Sequence, residues 1–142
     1  MPHYFKKEAV SRIIDANLNR AKEGLRVCEE ITRFVLNSPR LTQGLKCARH
    51  EISRLSGRIP FAKILIQSRD SSGDVGRHIL ANEFKRRGLS DIFFANIQRV
   101  KESIRVLEEF TKLTSKDLAA DFKELRYKMY KLEKETAKRL SS

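Results

Sequence analysis

Residues 16–33 read ANLNRAKEGLRVCEEITR and residues 95–112 read ANIQRVKESIRVLEEFTK, with ten of eighteen positions identical and the rest conservative. Unrelated segments of that length share about one position by chance, so the chain carries a duplicated unit. The likeness continues outward: LTQGLKCARHEISRL at 41–55 pairs with LAADFKELRYKMYKL at 118–132, matching Leu41 with Leu118, Lys46 with Lys123, Arg49 with Arg126 and Leu55 with Leu132. Each half is therefore a two-part element, with repeats over 11–56 and 90–133 and a non-repeated segment, 57–89, between them.

The spacing inside each repeat is helical. From Ser11 to Asn37, Ile14, Leu18, Ala21, Leu25, Cys28 and Val35 fall on one stripe at about 100° per residue, and Ser11 is the expected cap. Asn37-Ser38-Pro39 ends this helix, because the residue before proline avoids the helical region. Pro39 then opens a second helix behind a Ser38 cap, running to about Leu55 and stopping near Gly57. In the second half, Ser90-Asp91 starts a helix with Ile97, Val100, Ile104, Leu107 and Leu113 on its stripe. Thr114-Ser115 breaks it, and a last helix from Lys116 buries Leu118, Phe122, Leu125, Met129 and Leu132. The expected fold is all-α: one domain over 1–142, a pseudo-twofold bundle of two repeated helical hairpins with a short helical and loop insert. The insert contains the apolar run FAKILIQ at 61–67, a polar loop, and a short helix expected around HILANEFK at 78–85.

Composition narrows the function. Thirty Lys and Arg against eighteen Asp and Glu leave a net charge of +12, which predicts affinity for anions: nucleic acid, acidic lipid or phosphorylated small molecules. A charged fraction of 34%, against about 25% in an average soluble protein, also fits the ion-paired surface of heat-adapted proteins. No apolar run approaches the roughly 20 residues of a membrane span, and the amino terminus MPHYFKK lacks the apolar stretch of a secretory signal, so a soluble cytoplasmic protein is expected. Cys28 and Cys47 both fall on apolar helical positions without ligand spacing and read as small core residues.

Certain polar residues stand out of place. Asp15, Lys22, Glu29 and Arg33 lie opposite the apolar stripe and are expected to be solvated. Asn17 and Arg20 instead share a row with Ile13, Gly24, Ile31, Val27 and Phe34, and the repeat puts Asn96 and Arg99 in the same row of the other hairpin, beside Ser103 and Phe110. Glu23 and Glu102 fall at its rim, with Arg26, Arg105, Glu30 and Glu109 further out. Such a row is either an ion-pair network joining the halves or the wall of a polar cavity where guanidinium forks grip phosphate oxygens. Arg49 and His50, with Arg126 opposite, are candidates to join it. The segment SRDSSGDVGR at 68–77 supplies glycines for close backbone approach, serine hydroxyls, Arg69 and Arg77, and two carboxylates, Asp70 and Asp74, suited to a magnesium ion bridging phosphates. It is not a Walker sequence.

Taken in order, IIDANLNRAKEGLRVCEEITRFV at 13–35, Arg49-His50, RDSSGDVG at 69–76 and ANIQRVKESIRVLEEF at 95–110 resemble the helical domain found at the amino terminus of some bacterial thiamine-phosphate synthases, described as an alternative type of hydroxymethylpyrimidine phosphate kinase. The resemblance implies conversion of 4-amino-5-hydroxymethyl-2-methylpyrimidine phosphate to its diphosphate at the expense of ATP with magnesium. With 142 residues the chain has no room for the barrel of roughly 200 residues or more that joins pyrimidine to thiazole, so a free-standing form is expected. The matching motifs and the charge argument together make Arg20, Arg99 and Arg69, with Arg49, the expected phosphate clamps, and Asn17 and Asn96 orienting donors. His50, Glu23, Glu102, Gly73, Val75 and Gly76 complete the substrate-binding set, and Asp70 and Asp74 hold the metal or order the loop. Two other readings compete: a non-catalytic domain that docks on a separate thiamine-phosphate synthase and channels its substrate, and a basic nucleic-acid-binding protein. Against the second, Glu interrupts the basic residues in nearly every turn apart from Arg49-His50 and Lys85-Arg86-Arg87. A homo-oligomer is compatible with the pattern.

Overall fold

The computed structural model describes residues 3–60, 69–77 and 87–142, with side chains from Lys6 onward. Among them are four α-helices and no strand: α1 (His3–Glu30), continued by a π-helical turn (Ile31–Val35), α2 (Pro39–Ser56), α3 (Leu89–Thr111) and α4 (Lys116–Leu140). The run at 61–67 and the short helix expected at 78–85 lie outside the described residues.

The two hairpin turns are built alike. Ser38 Oγ accepts from Leu41 N at 3.2 Å with Pro39 in the first turn, and Ser115 Oγ accepts from Leu118 N at 3.2 Å with Asp117 in the first turn. Each hydroxyl satisfies an amide that has no partner inside the helix, and Asp117 suits the positive end of the helix dipole. Asn37, with φ of 50°, takes the left-handed conformation that lets the chain reverse into the Ser38 cap.

Three local expectations are corrected. α1 begins at His3, so Ser11 is buried inside the helix, where its hydroxyl donates to Lys7 O at 2.8 Å instead of capping. The π turn, closed by Leu36 N to Ile31 O at 3.1 Å, adds a residue to the last turn, which buries Ile31 and leaves Val35 41% exposed. Leu113 is exposed because α3 stops at Thr111, two residues before it.

The remaining stripes meet in one core drawn from all four helices, including Ile14, Leu25, Ile52, Phe93, Ile104, Leu107, Phe122 and Met129. α1 packs on α2 and α3, and α4 packs on α3 and α2. Every adjacent pair is antiparallel. Cys28 lies by Phe93 and Gly24 by Asn96 and Val100 across α1 and α3; Gly44 lies by Leu132 and Arg40 by Glu135 across α2 and α4. It follows that α2 and α3 point the same way from opposite corners, and α3 begins at the end of the bundle opposite the one where α2 stops. Residues 69–77, in the segment returning between them, meet α1, where Arg69 pairs with Asp15.

At the α1–α3 crossing the helices touch. A Cβ on Gly24 would stand 2.7 Å from Val100 Cγ2 and 3.0 Å from the Asn96 carbonyl oxygen, closer than side chains pack. The crossing also carries the repeat into its side-chain contacts: Asn17 Nδ2 donates to Ile13 O and Asn96 Nδ2 to Ile92 O, both at 2.8 Å.

Candidate functional site

A cleft of about 670 Å³ opens beside that crossing, walled by α1 from Ala9 to Glu23 and by Arg69, Asp70, Ser71 and Asp74 of the returning segment, with Arg99 of α3 in its lining. Arg20 and Arg99 occupy the same position in the two copies, and antiparallel crossing at Gly24 brings both to one cavity. Of the expected site residues, Asn17, Arg20, Glu23, Arg69, Asp70, Asp74 and Arg99 share this cleft. Asn96, Arg49, His50, Gly73, Val75, Gly76 and Glu102 are not part of its lining.

The polar groups of the cleft differ in what already holds them. Arg69 is committed: its Nε donates to Asp15 Oδ2 at 2.9 Å and its Nη2 to Asp15 Oδ1 at 2.8 Å, a two-pronged pair that raises the guanidinium pKa above its ordinary value. Asp15, expected to be solvated, is only 7% exposed, because the returning segment covers the face of α1 that the core leaves open. Arg69 thus ties 69–77 to the helices, and it is the hydrogen-bonded tie of that segment to the bundle among the described residues. Its expected role as a clamp becomes that of an anchor.

Arg20, Arg99 and Arg12 form no ion pair with any described residue; Arg20 Nη1 donates only to Asn17 Oδ1, at 3.3 Å. Asn17 is buried, gives one amide hydrogen to its own helix and uses its oxygen to orient Arg20. Pairing of each Arg with the Glu three residues on, which an ion-pair network would use, does not form at Arg20–Glu23 or Arg99–Glu102. It forms six residues later, where Arg26 reaches Glu29 and Glu30, and Arg105 reaches Glu108 and Glu109.

The loop adds two acids to the cleft, where Glu23 already lies on the α1 wall. Asp70 Oδ1 accepts from Gly73 N at 2.8 Å and Asp74 Oδ1 from Gly76 N at 2.9 Å, so each carboxylate spends one oxygen shaping the loop and keeps the other. The two glycine amides are turned onto these aspartates, and a side chain on Gly73 would overlap the Asp70 carboxylate. Val75 stands almost fully exposed. Among the described residues no three His, Cys, Asp or Glu converge as a ready-made metal cage. Two hard carboxylate oxygens still suit a magnesium ion whose other ligands are phosphate oxygens and water.

Arg49 and Arg126 behave differently from Arg20 and Arg99. Arg49 Nε and Nη2 donate to Glu29 at 2.7 and 3.2 Å, and Arg126 Nε and Nη2 donate to Glu108 at 2.8 and 3.3 Å, joining the two helices of each hairpin. Glu29, expected in solvent, is buried along with Glu108, and each carboxylate raises its arginine's pKa above the ordinary value. Neither Arg49 nor the exposed His50 is part of the cleft's lining, where both were expected. Glu102 lies in a separate groove with Lys101, Arg126 and Tyr130.

The cysteines offer no nucleophile to the cleft. Burial, aided by Glu29 and Glu133, pushes the Cys28 thiol up to about 12, which keeps it protonated. Cys47, expected in the core, is exposed on α2 and accepts a contact from Gln43 at 3.4 Å. Sequence reasoning missed Arg12, Asp15 and Asn19 as cleft residues. Arg12, Asn19 and Glu23 recur at helical spacing on one face of α1, a signal that attention to the duplicated positions passed over.

The ThiD2 family pattern matches residues 12–135. The chain is 41% identical over 126 residues to a thiamine-phosphate synthase of Rhodopirellula baltica, covering 88% of this chain and 33% of that protein. It is 39% identical over 128 residues to a thiamine-phosphate synthase of Nostoc punctiforme, with 89% and 35% covered, and 41% identical over 127 residues to one of Synechocystis, with 88% and 35% covered. The chain therefore spans about a third of the length of these curated relatives. No solved structure matches it significantly.

Proposed function

Because the chain belongs to the ThiD2 family, we propose that it serves thiamine biosynthesis as a kinase, transferring the γ-phosphoryl group of ATP to hydroxymethylpyrimidine phosphate. The observation that supports this most is the distribution of charge in the cleft: arginines without ion-pair partners on the helix wall, beside Glu23, and aspartates with a spare oxygen on the loop wall. A bare anion calls for cations alone. A metal-bound polyphosphate presents oxygens to guanidinium groups on one side and a cation to carboxylates on the other, and both walls are then matched.

Asp70 and Asp74 would hold the magnesium ion, which when bound supplies charge neutralisation across the nucleotide phosphates. The acceptor is a phosphate monoester with a second pKa of about 6, already largely ionised at neutral pH, so the site requires no strong general base. One of its oxygens attacks the γ-phosphorus, the bond from γ-phosphorus to the β,γ-bridging oxygen breaks, and ADP departs with that electron pair. Arg20 and Arg99 offset the repulsion between two polyanions, Asn17 fixes Arg20, and the Asp15–Arg69 pair keeps the loop over the cleft. Positioning and electrostatic stabilisation supply most of the rate in such transfers.

Incubation of the purified protein with ATP, magnesium and hydroxymethylpyrimidine phosphate tests this, with products resolved by chromatography and mass spectrometry. Diphosphate and ADP should appear in equal amounts. Product formed equally well by an Arg20→Ala, Arg99→Ala double variant would come from a contaminant and refute the reading. The relatives' extra two thirds also motivate a second reading, a domain that docks on a thiamine-phosphate synthase. That reading gains if the protein makes no diphosphate yet speeds such a synthase.

A further inference from the structure

The duplication is faithful at one end of the cleft and broken at the other. The repeats are offset by 79 positions, 95 against 16, which sets Arg20 against Arg99 but Arg12 against Asp91 and Asp15 against Phe94. Asp91 accepts from the Arg87 amide at 3.1 Å near the start of α3, and Phe94 is exposed, so neither reproduces its counterpart's role. The features peculiar to the first copy are thus Arg12, the Asp15 anchor and the loop it holds with Asp70 and Asp74, and the anchor sits three positions from Arg12. The shared pair is Arg20 and Arg99. Arg12 and Arg20 are eight residues apart on α1, about 12 Å along the helix axis.

We propose that the cleft is polarised: Arg12 and the loop receive the polyphosphate of the nucleotide, while Arg20 and Arg99 grip the phosphate of the acceptor. This rests on the kinase reading. A monoester dianion that arrives without a metal needs direct guanidinium contacts, and the crossing offers two from different helices. The nucleotide brings its own cation, and the cleft's loop carboxylates follow on Arg69, which is held at Asp15, three positions from Arg12 and five from Arg20. Arg12 is then a specificity-determining residue for nucleotide, a role that the duplicated motif does not announce.

Calorimetric titration of the full chain tests the assignment without turnover, using a non-hydrolysable β,γ-imido ATP analogue with magnesium and, separately, hydroxymethylpyrimidine phosphate. Arg12→Ala should weaken the analogue about tenfold or more and leave the monophosphate within about twofold, and Arg99→Ala should do the reverse. The same split should appear in the two KM values. Arg12 is exposed and unpaired among the described residues, so the variant should fold, and Arg12→Gln provides a second. Wild type that makes diphosphate while both variants weaken the same ligand, or Arg12→Ala weakens neither, overturns the polarity and spares the kinase reading. Wild type that binds neither ligand and makes no diphosphate overturns both.

Discussion

Arg49 and Arg126 end on buried glutamates, whereas Arg20 and Arg99, duplicated just as faithfully, line a cleft with no carboxylate partner among the described residues. Both pairs belong to the same repeat, so copying alone does not separate a structural arginine from a functional one. What separates them is the helix each faces. Within a hairpin the neighbour supplies Glu29 or Glu108. At the crossing between hairpins the pseudo-equivalent residue is another arginine, which leaves two like charges beside an open cavity. Like charges converging on one cavity repel, and a bound anion relieves that repulsion.

This contrast can be broken most severely at Arg20. Arg20→Ala should lower kcat/KM by about 100- to 1,000-fold, the scale for losing one fixed donor to developing charge, while Tm moves by no more than about 2 °C. Steady-state kinetics beside a thermal melt checks both halves. Next comes Arg49→Ala, which leaves buried Glu29 with only the longer, 3.9 Å contact to Arg26. It should cost about 3 kcal/mol, roughly 10 °C in Tm, and an unchanged melt would mean that the pair is not structural.

Gly24→Ala sharpens the comparison at the crossing itself. The new methyl would sit 2.7 Å from Val100 Cγ2, which can turn away, and 3.0 Å from the Asn96 carbonyl oxygen, which belongs to a helix backbone. Overpacking of about 2 kcal/mol set against about 1 kcal/mol of helix propensity predicts a net loss near 1 kcal/mol in urea unfolding. Spreading α1 from α3 should also lower turnover, since Arg20 and Arg99 would part.

The smallest effect is set by pH. Hydrogen bonds from Arg40 and Arg54 hold Glu135 and Glu51 below their ordinary value of 4.5. Carboxylates lowered by folding stabilise the protein above that value, and the contribution is lost as pH falls through the lower folded pKa. Tm should drop between pH 7 and pH 3, and Glu135→Gln, which cannot titrate, should drop slightly less. An equal drop would show that the exposed Arg40–Glu135 pair contributes nothing.

Much of this was legible in the chain. The stripes from Ile14 to Cys28 and from Ile97 to Leu107 place the core, and Ser38-Pro39 and Ser115 place the turns, because periodicity and caps are local. Residues whose partners arrive from afar were misread. Asp15 and Glu29 look solvated on a helical wheel, yet one is covered from 54 positions away and the other from 20. A wheel shows which side of a helix is apolar and is blind to what later crosses the other side. Arg69 changed role for the same reason. The π turn that swings Val35 outward has no periodic signature, and Arg12 escaped notice because it has no duplicate.

The central claim is that equivalent arginines divide into glue and grip, and Arg99→Ala set beside Arg126→Ala measures it directly. Each variant would be assayed for diphosphate formation from ATP and hydroxymethylpyrimidine phosphate and for its thermal midpoint. The account predicts that Arg99→Ala keeps the wild-type midpoint and loses turnover, while Arg126→Ala melts several degrees lower and, below its transition, still turns over. Arg99→Ala that melts early yet turns over normally would contradict it.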